Sequence, residues 1–317
     1  MSDASSAIDQ QTAALPSGVM WGVLGVLSFS GSLPATRVAV RSLDPVVVGL
    51  GRAVVAGGLA IAVLRVRGVA RPTADQWRRL AVVALGVVFG FPLLTAFALQ
   101  RVPAAHGSVV IGILPAATAV LAVRRTGQRP GRTFWTAAIT GALIVVAFAL
   151  RHGTSGLERA DVLLLGAVIL AAFAYAECGL LAQEMPGSEV ICWALVLALP
   201  LTAVLTGVVA VRSGLHAPAT GWLGFAYLSG ISMFLGFFAW YRGLAEGGVA
   251  RISQLQLVQP ALSLVWARLF LGERLEPIAI VTVLAVIACI AVAQRARITG
   301  AQPKRIGNTS GPQIPVA

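Results

Sequence analysis

Long apolar runs separated by short polar breaks fill most of this chain, from about residue 18 to 294. Ten runs can be counted, at roughly 18–38, 45–66, 77–99, 103–123, 133–150, 160–182, 189–211, 221–243, 250–271 and 277–294. A run of about 20 apolar residues is the length that crosses a bilayer. Backbone amides in hydrocarbon must bond within their own segment, which makes each run a helix. The pattern therefore predicts an all-α integral membrane protein with ten transmembrane helices. Residues 1–17 and 296–317 lack such runs and read as disordered tails. The first carries Asp3 and Asp9 but no Lys or Arg, so no basic region precedes an apolar core as in a cleaved signal. The second holds Lys304 and Arg305 among Gly, Pro and Ser.

Composition agrees with the pattern. Of 317 residues, 57% are hydrophobic and only 11% charged, with a mean hydropathy of +0.86. A soluble domain carries about 25% charged residues. The formal net charge of +12 invites a nucleic-acid reading, but its distribution argues against one. If the N-terminus is cytoplasmic, fifteen Lys and Arg fall on that side, including Arg65, Arg67, Arg71, Arg78 and Arg79, against seven on the other. This is the asymmetry that orients membrane proteins, and it places both termini in the cytoplasm of a cell-membrane protein. The surplus charge then meets anionic lipid headgroups rather than nucleic acid. Cys178, Cys192 and Cys289 lie in or near apolar spans without CxxC spacing, so they read as small hydrophobes.

The chain also repeats itself. At an offset of 145 residues, without a gap, Trp77 meets Trp222, Pro115 meets Pro260, Gly127 meets Gly272 and Arg129 meets Arg274. Asp44 and Glu189 coincide as acids opening a span. Two five-span units follow, residues 18–150 and 151–295. An odd number of spans forces the second unit to enter the membrane from the opposite side, so the units are inverted repeats. That plan belongs to transporters, with a substrate site near the midplane between the repeats.

The same register decides how to read Glu273. Gly127-Gln128-Arg129 occupies in the first unit the slot of Gly272-Glu273-Arg274 in the second. A catalytic glutamate would not have a glutamine for its repeat equivalent. Glycine suits a helix C-terminus because it adopts positive φ without a side-chain clash. The slot therefore reads as a helix end, with gating or coupling by Glu273 as the alternative.

On these segments the chain resembles the drug/metabolite transporter superfamily, in its ten-span branch of two EamA-like units. The resemblance rests on VVIGILPAATAVLAV and LQLVQPALSLVWARLFLGERL, on the second-span arginine in DPVVVGLGRAVVAGGL, and on FLGFFAWYRGLAEGGVARISQLQ. It implies export or uptake of small metabolites, often amino acids or drug-like compounds, without ATP. Gln128, where a glutamate is usual, departs from the pattern.

Polar residues within spans are functional candidates by default. Arg52 lies about 12 Å deep by helical rise. It serves either as a structural arginine on backbone carbonyls or as the partner of a substrate carboxylate. Glu177 is the acid placed well inside a span; it reads as a proton carrier, as an ion-pair partner of Arg52, or as an interfacial glutamate. Ser253, Gln256, Gln259 and Ser263 recur at helical spacing beside Pro260, the pattern of a bendable, cavity-lining helix; helix–helix bonding is the competing reading. Tyr175 is the candidate cavity aromatic, while Trp240 suits either the pathway or the interfacial belt. In the first span Ser32 stands beside Pro34, and Pro34, Pro115 and Pro260 are the expected kink points. His106 reads as interfacial rather than as a proton relay. Gly86 and Gly90, in GxxxG spacing, suit close helix packing.

A membrane enzyme would need a metal cluster, an acid pair or a nucleophile beside its base. The sequence has no HExxH, no Walker loop and three scattered histidines. No cofactor, metal or catalytic residue is expected. The favoured reading is a secondary active transporter for an amino-acid-like or drug-like metabolite, working by alternating access, with export as the direction and a proton as the candidate coupling ion. An uncoupled carrier or channel is the alternative, with a scaffold further off.

Overall fold

A computed structural model describes residues 17–126, 129–152, 158–247, 252–295 and 298–299. Helices dominate. Among the described residues, seven helices can cross a membrane by length and composition: Ser17–Ala39, Val47–Val66, Ala74–Leu99, Ala104–Leu121, Arg159–Leu181, Gly187–Ser213 and Ala219–Glu246. Three shorter apolar helices, Arg132–Phe148, Leu255–Leu271 and Pro277–Ala293, stand where the fifth, ninth and tenth runs were expected. These apolar stretches belong to the helices Arg132–His152 of 21 residues and Pro277–Arg295 of 19, and to Ser253–Val258 with Gln259–Leu271. Seven of the ten expected spans are thus met by length and composition among the described residues. Two-residue strands, Arg129–Pro130 and Ile298–Thr299, pair antiparallel, so the second expected tail begins with a β contact. Gly127 and Gln128 lie outside the described residues, as do residues 1–16 and 300–317.

The long helices are not uniform, and their breaks fall at the kink prolines. The first pauses at Gly31 between Ser17–Ser30 and Ser32–Ala39, with Pro34 in the opening turn of the second piece. Ala104–Ile111 and Leu114–Thr126 part at Gly112-Ile113, one residue before Leu114-Pro115 restarts the helix. Ser253–Val258 is a 3₁₀ turn, and Gln259–Leu271 begins with Pro260. A proline without an N–H is tolerated in the first helical turn, where that donor has no partner anyway. The Pro115 and Pro260 breaks are repeat equivalents. So are two π-helical stretches, Ala84–Gly90 and Tyr227–Leu235, which overlap at the 145-residue offset.

Glycines set the closest helix approaches. A Cβ at Gly86 would clash with the Leu170 carbonyl oxygen, and one at Gly243 would lie 2.6 Å from the Gly22 nitrogen. These backbones touch because no side chain intervenes. Leu201, Val204, Leu269 and Phe270 are exposed on the outside, a surface suited to hydrocarbon. At one end of the molecule, Ala104, Ala105 and Val109 of the first unit pack with Leu264, Ala267, Ala279 and Val283 of the second.

Candidate functional site

The helix breaks surround a central cavity. Both units build it. Ser32, Arg52, Phe91, Ser108 and Pro115 come from the first; Tyr175, Ser232, Gln256, Gln259, Pro260 and Ser263 come from the second. The apolar part of the wall includes Phe29, Leu33, Met233 and Phe237. Ser32 and Ser232 share a hydroxyl hydrogen bond of 2.7 Å across the units. Ser263 donates to the Ser30 carbonyl at 2.7 Å, and Trp266 Nε1 donates to Ser30 Oγ at 2.8 Å. The first helix and the proline-broken helix are thereby tied beside the cavity.

Arg52 is 5% exposed, and its Nε has no hydrogen-bond partner among the described residues. Gln259 Oε1 is likewise buried without one. A buried polar atom without a partner costs about 1–3 kcal/mol. The cavity lining therefore includes a cation and an acceptor oxygen whose bonding capacity is unspent, and no carboxylate among the described residues lines it. A molecule bearing a carboxylate and a hydrogen-bond donor complements this pair.

A second recess adjoins the first and shares Phe29, Leu114, Pro115, Tyr175, Phe237 and Gln256 with it. It runs past Thr118, Cys178, Trp240 and Tyr241 to Leu244. That end also holds the start of the described chain, since Gly243 lies against Gly18 and Gly22. Trp240 therefore belongs to the recess rather than to the central cavity, and it packs edge-on to Phe29.

Of the residues singled out from the sequence, Arg52, Tyr175, Ser32, Gln256, Gln259, Pro115 and Pro260 line the cavity. Pro34 follows the Gly31 break but does not. The Ser253 backbone opens the 3₁₀ turn, while its side chain lies outside the described residues. Glu177 stands apart from these residues. It is buried, but Arg79 Nε donates to its Oε1 at 2.5 Å, and it lines neither recess. The same guanidinium also bonds Glu184, which accepts from Gln76 Nε2 at 3.3 Å. Arg79 and then Gln76 hold the Glu184 carboxyl below the usual carboxylate range. Of the three readings of Glu177, the structure gives an ion pair, but with Arg79: Glu177 lies near the end of its helix, beside the basic cluster that includes Arg79.

Two features went unread in the sequence. His106 Nε2 and Asp161 Oδ1 are 2.6 Å apart, with Asp161 almost fully buried. Asp161 also accepts from the Glu158 amide at 3.1 Å as a helix cap, so the Glu158-x-x-Asp161 spacing was its available signal. Glu273 does more than follow a helix end. Gly272 takes φ 66°, as expected of that end. Glu273 then sends each of its carboxylate oxygens to one backbone N–H of the facing unit, Ala104 and Ala105, both at 2.9 Å.

Comparison with known proteins places this architecture. The chain matches the EamA-like transporter family twice, over residues 16–150 and 158–294. It is 44% identical over 274 residues to a Bacillus subtilis (strain 168) protein described as the uncharacterized transporter YdeK, covering 86% of this chain and 96% of that one. It is 29% identical over 276 residues, 84% of this chain and 89% of the other, to a Streptantibioticus cattleyicolor protein described as a probable terminal-alkyne amino-acid exporter. A solved crystal structure shares the fold with a TM-score of 0.61 at 19% identity, covering 89% of this chain and 99% of its own. The chain belongs to the EamA-like transporter family: it is a multi-pass membrane transporter built from two family repeats, not an enzyme.

Proposed function

We propose that this transporter is a secondary carrier that exports a small, carboxylate-bearing metabolite of amino-acid type across the cytoplasmic membrane by alternating access. In this reading the three shorter helices also cross the membrane, giving ten spans in two inverted five-helix units with both termini cytoplasmic. The observation that carries the reading is the central cavity, lined by both units and holding Arg52 and Gln259 with unspent bonding atoms. A guanidinium favours carboxylate geometry. The Gln259 oxygen accepts from an ammonium or amide, and Phe29, Phe91 and Phe237 receive an apolar side chain. Ser32, Gln256 and Tyr175 complete the polar lining. The exporter name of the 29% relative supports the direction and the amino-acid class.

The test is counterflow in proteoliposomes. Vesicles preloaded with an unlabelled amino acid should accumulate the labelled one transiently, and Arg52→Ala should abolish this for carboxylate-bearing substrates. Flux that internal substrate fails to accelerate would instead indicate an uncoupled channel. An imposed pH gradient asks whether a proton is the coupling ion: substrate should move against its gradient as protons move down theirs.

A further inference from the structure

The two proline-broken helices contribute matched positions to one cavity. At the 145-residue offset Ile111 corresponds to Gln256, Leu114 to Gln259 and Pro115 to Pro260, and all of these line it. The helices meet at their breaks, where a Cβ built on Gly112 would lie 3.5 Å from Cβ of Pro260, ordinary van der Waals contact. Equivalent backbone thus carries opposite chemistry: two aliphatic side chains from the first unit, two amides from the second. The hydroxyls of the lining are already engaged. Ser108 donates to the Ala104 carbonyl at 2.8 Å, Ser263 to the Ser30 carbonyl, and Ser32 and Ser232 bond each other. Gln259 Oε1 and Arg52 Nε keep unspent capacity among the described residues.

We propose that Ile111 and Leu114 determine which side chain the carrier accepts, selecting amino acids with an aliphatic side chain, while Gln259 and Arg52 hold the head that all amino acids share. The proposal deepens the carrier reading above and rests on it. A zwitterionic head has a donor for the Gln259 oxygen and a carboxylate for the guanidinium, whatever the side chain. Discrimination must then come from lining that the head does not use. Ile111 and Leu114 are buried and offer no polar side-chain atom. Phe29 and Phe237 add apolar area but hold each other edge-on, with ring centroids 4.9 Å apart. The aliphatic pair on the helix that abuts Pro260 therefore sets the fit beside the head. A methylene laid against that pair gains about fourfold in affinity. A hydroxyl or amide there leaves water without a new partner and loses at least about tenfold. Gln256 and Gln259 show that the same backbone slots hold amides, which makes their transfer into the first unit the direct perturbation.

The experiment is competition in proteoliposome counterflow between L-leucine and L-asparagine, whose side chains have nearly the same shape and opposite polarity, with L-phenylalanine as a larger probe. The parent should prefer leucine over asparagine by at least about tenfold. Ile111→Gln combined with Leu114→Gln should erase or reverse that preference. Leu114→Ala keeps the lining apolar, so the proposal stays testable if the double variant fails to fold. It should weaken leucine about tenfold and raise the phenylalanine-to-leucine ratio. Gln259→Leu should weaken leucine and asparagine alike and leave their ratio unchanged. A leucine-to-asparagine ratio unmoved in the folded double variant overturns the assignment. So does a phenylalanine-to-leucine ratio unmoved in Leu114→Ala, or a Gln259→Leu effect confined to one amino acid. A parent that exchanges amino acids without favouring leucine also overturns it, while the carrier reading stands. A parent that exchanges none of the three sinks the amino-acid carrier reading itself, and this assignment with it.

Discussion

Replacing Arg52 by methionine separates the two roles open to a buried arginine. Methionine keeps a long flexible side chain and removes the charge. Arg52 is 5% exposed and its Nε is unbonded, so in the ligand-free protein the guanidinium bears a desolvation cost that the described residues do not fully offset. Arg52→Met should therefore leave the ligand-free melting temperature in detergent equal or higher. Bound substrate should tell the opposite story. Truncating one partner of a buried, hydrogen-bonded charge pair costs about 2–5 kcal/mol, which is about 30- to 4,000-fold in affinity. The assay is a thermal-shift titration with amino acids on parent and variant, because a ligand of the folded state raises the melting point. The parent should shift and the variant should not at any reachable concentration. A ligand-free variant that melts several degrees lower, with ligand affinity unchanged, would refute the reasoning and make Arg52 a structural residue.

Other consequences follow from single contacts. Gly86→Ala would drive a methyl into the Leu170 carbonyl, so it should cost about 1–3 kcal/mol through overpacking, read as a lowered melting temperature; an unchanged melt would show that the two helices can part freely. Glu177→Gln should leave counterflow intact because Glu177 lines neither recess, and should cost about 1–2 kcal/mol as the bond to Arg79 loses its charge assistance; loss of exchange in a folded variant would return Glu177 to the transport path. Because Arg79 holds Glu184 below its ordinary carboxylate range, the Arg79–Glu184 contact stabilises the fold above the unfolded-state titration and is lost as pH falls through the lower folded value. Glu184→Gln should flatten that acid dependence of melting without altering neutral-pH transport, and an unchanged acid profile would show that this exposed pair contributes nothing.

Much of the architecture was legible because lipid imposes a single rule on the backbone. Apolar length predicted the helices and the 145-residue register the two repeats, and Pro34, Pro115 and Pro260 marked the breaks because a missing N–H has a fixed structural consequence. The cavity was legible as far as it depends on helical phase, which put Gln256, Gln259 and Ser263 on one stripe. What escaped depends on contacts between helices far apart in sequence. Nothing local says that Glu177 meets Arg79 rather than Arg52, since depth along a helix does not fix which neighbour it faces. His106 read as interfacial by itself, and only packing of the two units pairs it with Asp161. The π-helical stretches around Gly86 and Ser229 left no mark in the apolar pattern, which reads the same for α and π turns.

The inverted pairing of the two units carries everything else, and its most direct test is the sidedness of the two matched helix ends. Single cysteines at Arg129 and Arg274, in a chain with Cys178, Cys192 and Cys289 replaced, would be labelled in intact cells with a membrane-impermeant maleimide. The account predicts labelling at 274 from outside, and at 129 only after the membrane is opened. Both positions reacting from the same side would contradict it.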